Sequence, residues 1–337
     1  LFPYTTLFRS LLFRDFLTAF EGNELSIGVF FGSWLLWVSV GAIVGRAAAG
    51  RSPALVSRFA LVALLYIPAF VVQHQLLLNA RSIAGIESYV LFPFFTMLGL
   101  SFLLNVFVSV LTGFLFTLAS VWSERYSSLP VSRVYVLEAM GAALGGFFVT
   151  LQIGLSSSTT ETIFLWSAVV AGMFFVCPDA RISREQRARW TAGTAVAIFL
   201  TAFVLESLVI GYWSEWNDHR AWSHLLPADS YQGSFKTAQG RYLFGRRDNQ
   251  HIVMTEGTVC ETLPPSDHDA EVAAVNLVQS PKAQSVLVFG SRSLGACIKL
   301  AKLPQMKQVS WTHPDPEYPA SLEQALKKDS DPDMLEF

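Results

Sequence analysis

The chain is poor in charge, poor in cysteine and without a basic excess, and each shortage excludes something. Only 15% of its 337 residues are Asp, Glu, Lys or Arg, against about a quarter in ordinary globular chains. The formal net charge of −2 argues against a nucleic-acid binder, which needs a strongly basic face. The three cysteines, Cys177, Cys260 and Cys297, are far apart. They form no CxxC pair or metal-ligand cluster, and an odd count does not make a disulfide framework. They read as small buried hydrophobes. Neither GxxxxGK(S/T), HExxH nor GxSxG occurs, so the sequence signals of a phosphate loop, a zinc protease helix and a serine hydrolase elbow are missing.

What is present is apolar. Hydrophobic residues make up 52% of the chain, Phe alone occurs 27 times, and the mean hydropathy is +0.41. The apolar runs end near Trp213, after which the sequence has the mixed pattern of a soluble protein. Neither end reads as natural. The first decapeptide, LFPYTTLFRS (residues 1–10), resembles a translated sequencing adapter and is expected to be a scar, so the chain is read as a fragment.

A membrane crossing takes about 20 mainly apolar residues. Candidate spans are Ile27–Val44, Val56–Leu78, Tyr89–Trp122, Val134–Leu155, Thr162–Cys177 and Trp190–Trp213, with Leu11–Phe20 as the remnant of a first, giving a bundle of about seven spans over residues 11–213. Tyr89–Trp122 is long enough for one kinked helix or two short ones. Loop charge favours one, because alternate loops then collect the arginines: Arg46, Arg51 and Arg58; Arg125 and Arg133; Arg181, Arg184, Arg187 and Arg189. Basic loops mark the cytoplasmic side, which places the second half on the non-cytoplasmic side. The spacings Gly28/Gly32, Gly41/Gly45 and Gly141/Gly145 predict close helix contacts within one bundle, with a homo-oligomer seam as the alternative. Glu138, beside Arg133, and Glu206 are ionisable groups inside spans; Arg14, Asp15, Glu21, Asn23 and Glu24 cluster near the second span. Such groups can line a transport path. Without a relay-like spacing they read as a structural polar network.

Residues 214–229 read as a wet interfacial linker, anchored at the membrane surface by Trp213, Trp216 and Trp222. Ser230–Thr237, Arg241–Gly245 and His251–Glu256 predict a β-meander with turns at Ala-Gln-Gly and Arg-Arg-Asp-Asn. A helix over Asp269–Gln279, a strand over Ser285–Phe289, a helix over Ala296–Leu303 and a strand over Gln308–Thr312 follow. The turn between the first strand and helix of that series, Gly290-Ser-Arg-Ser-Leu-Gly295, fits the opening of a nucleotide-binding α/β fold, where glycines let backbone approach a ligand. A tight strand-to-helix turn is the plainer reading.

Three stretches together resemble the membrane-fused spermidine/spermine synthase-like proteins of bacteria. They are Phe-Glu-Gly-Asn-Glu-Leu-Ser-Ile-Gly at 20–28 with Ser33-Trp34-Leu35-Leu36; Val-Tyr-Val-Leu-Glu-Ala-Met-Gly-Ala-Ala-Leu-Gly-Gly at 134–146; and Ser230-Tyr231-Gln232 through Pro281-Lys282 and Val286-Leu287-Val288-Phe289-Gly290 to Asp315-Pro316. The resemblance implies a multi-span helical bundle, then a β-meander and the start of a methyltransferase-like Rossmann fold over residues 230–337. It also implies aminopropyl transfer from decarboxylated S-adenosylmethionine, as co-substrate, to a diamine, in a protein of the bacterial inner membrane; the residues themselves suggest no metal site. The alternative is a non-catalytic membrane protein with a transport or scaffold role and a degenerate nucleotide-binding-like domain. Carried over by position, Tyr231 and Gln232 match the family's Tyr-Gln pair near the donor nucleoside, and Gly290 and Gly295 match the outer glycines of its loop. Ser293 stands where that loop has aspartate, and His313, two before Asp315, stands where an acidic residue holds the ribose. The family's catalytic aspartate would lie beyond Phe337.

Overall fold

A computed structural model describes residues 3–20, 24–57, 62–86, 90, 92–126, 130–156, 160–175, 184–237, 239–255 and 257–327. Glu21, Asn23, Arg58, Cys177 and Arg181 lie outside the described residues. The chain divides into a helical unit, Leu1–Ile153 with Ser158–Ser214, and a second unit, Glu215–Phe337 with Gly154–Ser157.

The helical unit contains α1 (Pro3–Ala19), α2 (Glu24–Arg51), α3 (Pro53–Ser57), α4 (Tyr66–Leu78), α5 (Ala80–Ala84), α6 (Phe94–Leu104), α7 (Val106–Tyr126), α8 (Val131–Ser156), α9 (Thr160–Phe175) and α10 (Arg184–Leu205). A π-helical turn, Glu206–Ile210, joins α10 to α11 (Gly211–Ser223). Among the described residues four helices are long and apolar enough to cross a membrane: Glu24–Arg51, Val106–Arg125, Val131–Gln152 and Ala192–Ser223. The helices α4 and α6 are apolar but too short by the same measure. Two of the other expected spans, Val56–Leu78 and Thr162–Cys177, fall partly outside the described residues. Leu35, Ile43, Leu144, Phe147 and Leu208 on these helices are exposed, a burden in water and none in lipid.

Packing within this unit follows small residues and aromatic rings. A Cβ on Gly41 would lie 2.1 Å from the Val110 carbonyl oxygen, and one on Gly113 would lie 1.9 Å from that of Val38. Backbones of α2 and α7 thus touch where side chains are missing, as close helix pairs in lipid require. Trp37 on α2 donates to the Phe102 carbonyl on α6 at 2.7 Å. Gly28 and Gly32, expected to mark a similar contact, are open, with no atom within 4 Å of a Cβ placed there. The main core joins Phe8, Leu11, Leu12, Phe16, Phe20, Phe30, Tyr66, Phe70 and Phe164.

The segment expected as one span, Tyr89–Trp122, is interrupted at Asn105, between α6 and α7. An interruption inside an apolar unit strands backbone donors unless side chains reach them. Here Gln73 on α4 does so, its Oε1 accepting from Val108 N at 3.0 Å. Gln73 Nε2 donates to Asn105 Oδ1 at 3.2 Å, and Asn105 Nδ2 donates to Ser33 Oγ at 2.7 Å. Glu206, at the π-helical turn, accepts from Trp166 Nε1 at 3.1 Å.

The second unit begins in α11, not in an open linker. Trp222 is fully buried, its Nε1 donating to Ser230 Oγ at 2.9 Å and the Pro227 carbonyl at 3.1 Å. It is a core residue here, against the expected interfacial anchor, because Gly245 leaves room for its ring: a Cβ there would meet Trp222 at 2.6 Å. Asp218 accepts from Ser234 Oγ at 2.8 Å and pairs with Arg241. Trp216 remains exposed, with the Arg220 guanidinium 5.3 Å from its ring centre.

Strands β1 (Tyr231–Lys236), β2 (Arg241–Arg247), β3 (Gln250–Thr255) and β4 (Thr258–Leu263) form an antiparallel meander in that order. Asp248 and Asn249 turn β2 into β3 with φ of 49° and 66°, the positive pair a two-residue hairpin needs. Alternation splits the side chains between two cores. Leu243, Ile252 and Met254 pack with Trp222 on one face. Tyr242, Val253 and Leu263 pack on the other with Tyr318, Leu322 and Leu326.

Next come α12 (Asp267–Gln279), β5 (Ser285–Phe289), α13 (Leu294–Ala301), β6 (Gln308–Thr312) and α14 (Tyr318–Lys327). A Ser266/Asp269 capping box starts α12. Strands β5 and β6 pair in parallel as a two-stranded sheet, so the described fold here is one β-α-β unit beside the meander.

Candidate functional site

The C-terminal ends of β5 and β6 lie side by side, the position where open parallel sheets take ligands. Gly290 N donates to the Thr312 carbonyl at 3.1 Å, and Trp311 Nε1 donates to the Gly290 carbonyl at 3.0 Å. Gly290 has φ of 135° and Arg292 of 60°, so the loop into α13 turns through conformations that side chains disfavour. Arg292 Nη2 donates to Thr258 Oγ1 at 2.5 Å, and Ser293 Oγ donates to the Ser291 carbonyl at 3.1 Å.

The first turn of α13 carries unpaired N–H groups and the positive end of a dipole, a ready anion site. In this chain a residue from the meander fills it. Glu261 on β4 is buried, and its Oε1 accepts from Leu294 N at 3.3 Å. Burial pushes its carboxyl up to about 7, while the N–H groups of Leu294, Gly295 and Ser293 pull it down and Asp269 raises it. A second carboxylate lies against the same turn: a Cβ on Gly295 would fall 2.4 Å from Asp269 Cγ. Asp269 is held by Ser266, whose N and Oγ donate to its Oδ2 at 2.8 and 2.6 Å.

At the end of β6, His313 stacks on Tyr318 with ring centres 4.4 Å apart. Its Nδ1 accepts from Asp315 N at 3.0 Å. Asp315 is buried, and its carboxylate is in use: Oδ2 accepts from Thr237 Oγ1 at 2.5 Å and Tyr242 OH at 3.1 Å, and Oδ1 accepts from Glu317 N at 3.1 Å. These bonds tie the end of β6 to the β1–β2 turn.

Of the residues singled out by sequence, Gly290, Ser293, Gly295 and His313 surround the two strand ends. Asp315 is close in the chain but serves the meander. Tyr231 is elsewhere, on the face that carries Trp222, with its ring centre 5.9 Å from Trp222 and 5.5 Å from His219. Burial and the nearby Asp218 carboxylate push its phenol up to about 12. Gln232 is exposed beside it on β1. The sequence reading missed Glu261 and Asp269. The first lies on the unrecognised fourth strand, and the second stands only as the first residue of the expected helix.

The arrangement suits a positive group better than a negative one. Two carboxylates and one guanidinium surround the turn, and the helix N-terminus already has its anion. The chain matches no protein-family model, no curated protein and no solved structure.

Proposed function

We propose that this is an integral membrane protein of the spermidine synthase-like type, whose second unit continues a methyltransferase-like Rossmann fold and takes a cationic aminoalkyl ligand at the β5 and β6 strand ends. The supporting observation is the pairing of Glu261 and Asp269 at the first turn of α13. The loop has Ser293 where the family carries aspartate, and these two carboxylates supply the negative charge from other elements.

Decarboxylated S-adenosylmethionine and a diamine are the ligands of that class. In aminopropyl transfer an uncharged amine nitrogen attacks the carbon next to the sulfonium; the carbon–sulfur bond breaks and the sulfur keeps its electron pair. Alignment supplies much of the rate of such a displacement. Glu261, with a carboxyl near neutrality, is the group fitted to exchange the amine's proton. Placement in the bacterial inner membrane with the second unit on the non-cytoplasmic side belongs to this proposal, on the strength of the arginine-rich loops.

The occupied Asp315 carboxylate favours a second reading, in which the unit is a non-catalytic scaffold and the helical unit carries the function. Equilibrium binding with the full chain in detergent separates the two. Radiolabelled decarboxylated S-adenosylmethionine should bind and ATP should not, and E261Q or D269N should weaken the binding at least about tenfold, the loss of one charge-assisted contact. Undetectable binding of the labelled sulfonium sinks the ligand assignment.

A further inference from the structure

The helical unit holds a cluster of titratable groups that the proposed ligand site does not use. Asp15 on α1, His74 on α4 and Glu161 on α9 are each more than nine-tenths buried. His74 Nδ1 lies 2.7 Å from Asp15 Oδ2, and Nε2 lies 3.9 Å from Glu161 Oε1. Thr160 Oγ1 donates to Asp15 Oδ1 at 3.3 Å. The ring faces are apolar: Phe70 stacks on the imidazole at 5.8 Å and Trp213 meets it edge-on at 5.9 Å. From the elements packed against His74, the charged groups that act on it are Asp15 and Glu161.

A histidine that only clamps two helices needs one carboxylate. Here the imidazole has a close carboxylate on one nitrogen and a second, just beyond direct hydrogen-bond reach, on the other, so Nε2 is left without a hydrogen-bond partner. Two ionised carboxylates and an imidazolium would leave one net negative charge in an apolar interior, which is costly. Holding the same protons as one carboxyl, one neutral imidazole and one carboxylate leaves a single ion in place of three. Their titration is then a property of the set, with the proton free to move among members.

We infer that Asp15, His74 and Glu161 form a proton-exchange site in the helical unit, through which protons cross it. In one step Nε2 takes the proton of the Glu161 carboxyl while Nδ1 gives its proton to the Asp15 carboxylate. The ring stays neutral, the negative charge moves from Asp15 to Glu161, and the tautomer changes. A shift of about 0.7 Å or more closes the 3.9 Å gap to hydrogen-bond distance.

The full chain in liposomes loaded with a pH-sensitive dye, with a potassium-diffusion potential across the bilayer, tests this directly. Proton flux should exceed that of empty vesicles and fall at least tenfold in H74Q and E161Q, with E161D restoring part of it. Flux no greater than in empty vesicles, or equal flux in H74Q, overturns the inference. Imidazole ¹⁵N spectra of the wild-type chain give a measurement that needs no folded H74Q. The His74 tautomer populations should differ between wild type and E161Q, and identical spectra would reduce the triad to a clamp between α1 and α4. Neither readout depends on ligand binding at the second unit, so it fails or survives independently of that assignment.

Discussion

The Asp269 carboxyl fills the space that a side chain at Gly295 would need, with 2.4 Å between its Cγ and a Cβ placed there. The glycine is therefore explained inside the chain: α12 delivers a carboxylate to the start of α13. Gly295→Ala should cost about 1–3 kcal/mol, the usual penalty of overpacking. In a double-mutant cycle Asp269→Ala should recover part of that loss, because the two positions share one space. Additive losses in thermal melts would show that the contact is not what demands glycine.

The buried Glu261 carboxyl gives a pH dependence with a definite sign. Its folded value is raised from 4.5 to about 7, so the folded chain binds the proton more tightly than the unfolded one. The stability it contributes is fully present below about pH 4.5 and is lost as pH rises through about 7. The total is on the order of 3 kcal/mol. Unfolding midpoints should fall across this window, and Glu261→Gln, which keeps an acceptor for Leu294 N, should flatten that part of the profile. A Glu261→Gln curve parallel to wild type would contradict the assignment.

Backbone contact between α2 and α7 predicts unequal costs for the same substitution. Gly113→Ala and Gly41→Ala push a methyl group into carbonyl oxygens and should destabilise the unit by about 1–3 kcal/mol. Gly28→Ala enters open space and should change stability by less than about 0.5 kcal/mol. Denaturant titration in detergent compares the three.

Gln73 is the group that makes the break at Asn105 tolerable. Gln73→Leu removes the acceptor for Val108 N, and a buried donor left without one costs about 1–3 kcal/mol. Hydrogen exchange at Val108 should accelerate in this variant while the amides of α2 stay protected. Unchanged protection at Val108 would mean that another group caps α7.

Local pattern was enough to locate much of the chain's secondary structure. The strands Ser285–Phe289 and Gln308–Thr312 are found at their expected bounds, and α12 begins two residues earlier than expected. These elements are fixed by apolar runs and turn residues only a few positions apart. The fourth strand, Thr258–Leu263, was missed because Cys260, Glu261 and Thr262 break the apolar signal. The helix Tyr318–Lys327 was missed as well, although Leu322 and Leu326 repeat at helical spacing.

The sites were not legible in the same way. His74 lies between Gln73 and Gln75 in an otherwise apolar helix, and that polar triplet is the signal that could have marked it. Its partners Asp15 and Glu161, however, stand far away in sequence on either side. Tyr231 was expected at the ligand site by resemblance, yet a register shift between Tyr231 and Gly233 puts its ring on the Trp222 face, opposite to that of Phe235. Sequence alone determined where the chain is apolar and where most of its turns, helices and strands fall, because those properties rest on neighbours. Only the tertiary structure decided that Glu261 fills the start of α13 and that His74 sits between two carboxylates. Burial and proximity between distant residues, which set charge and reactivity, come into being when the elements pack.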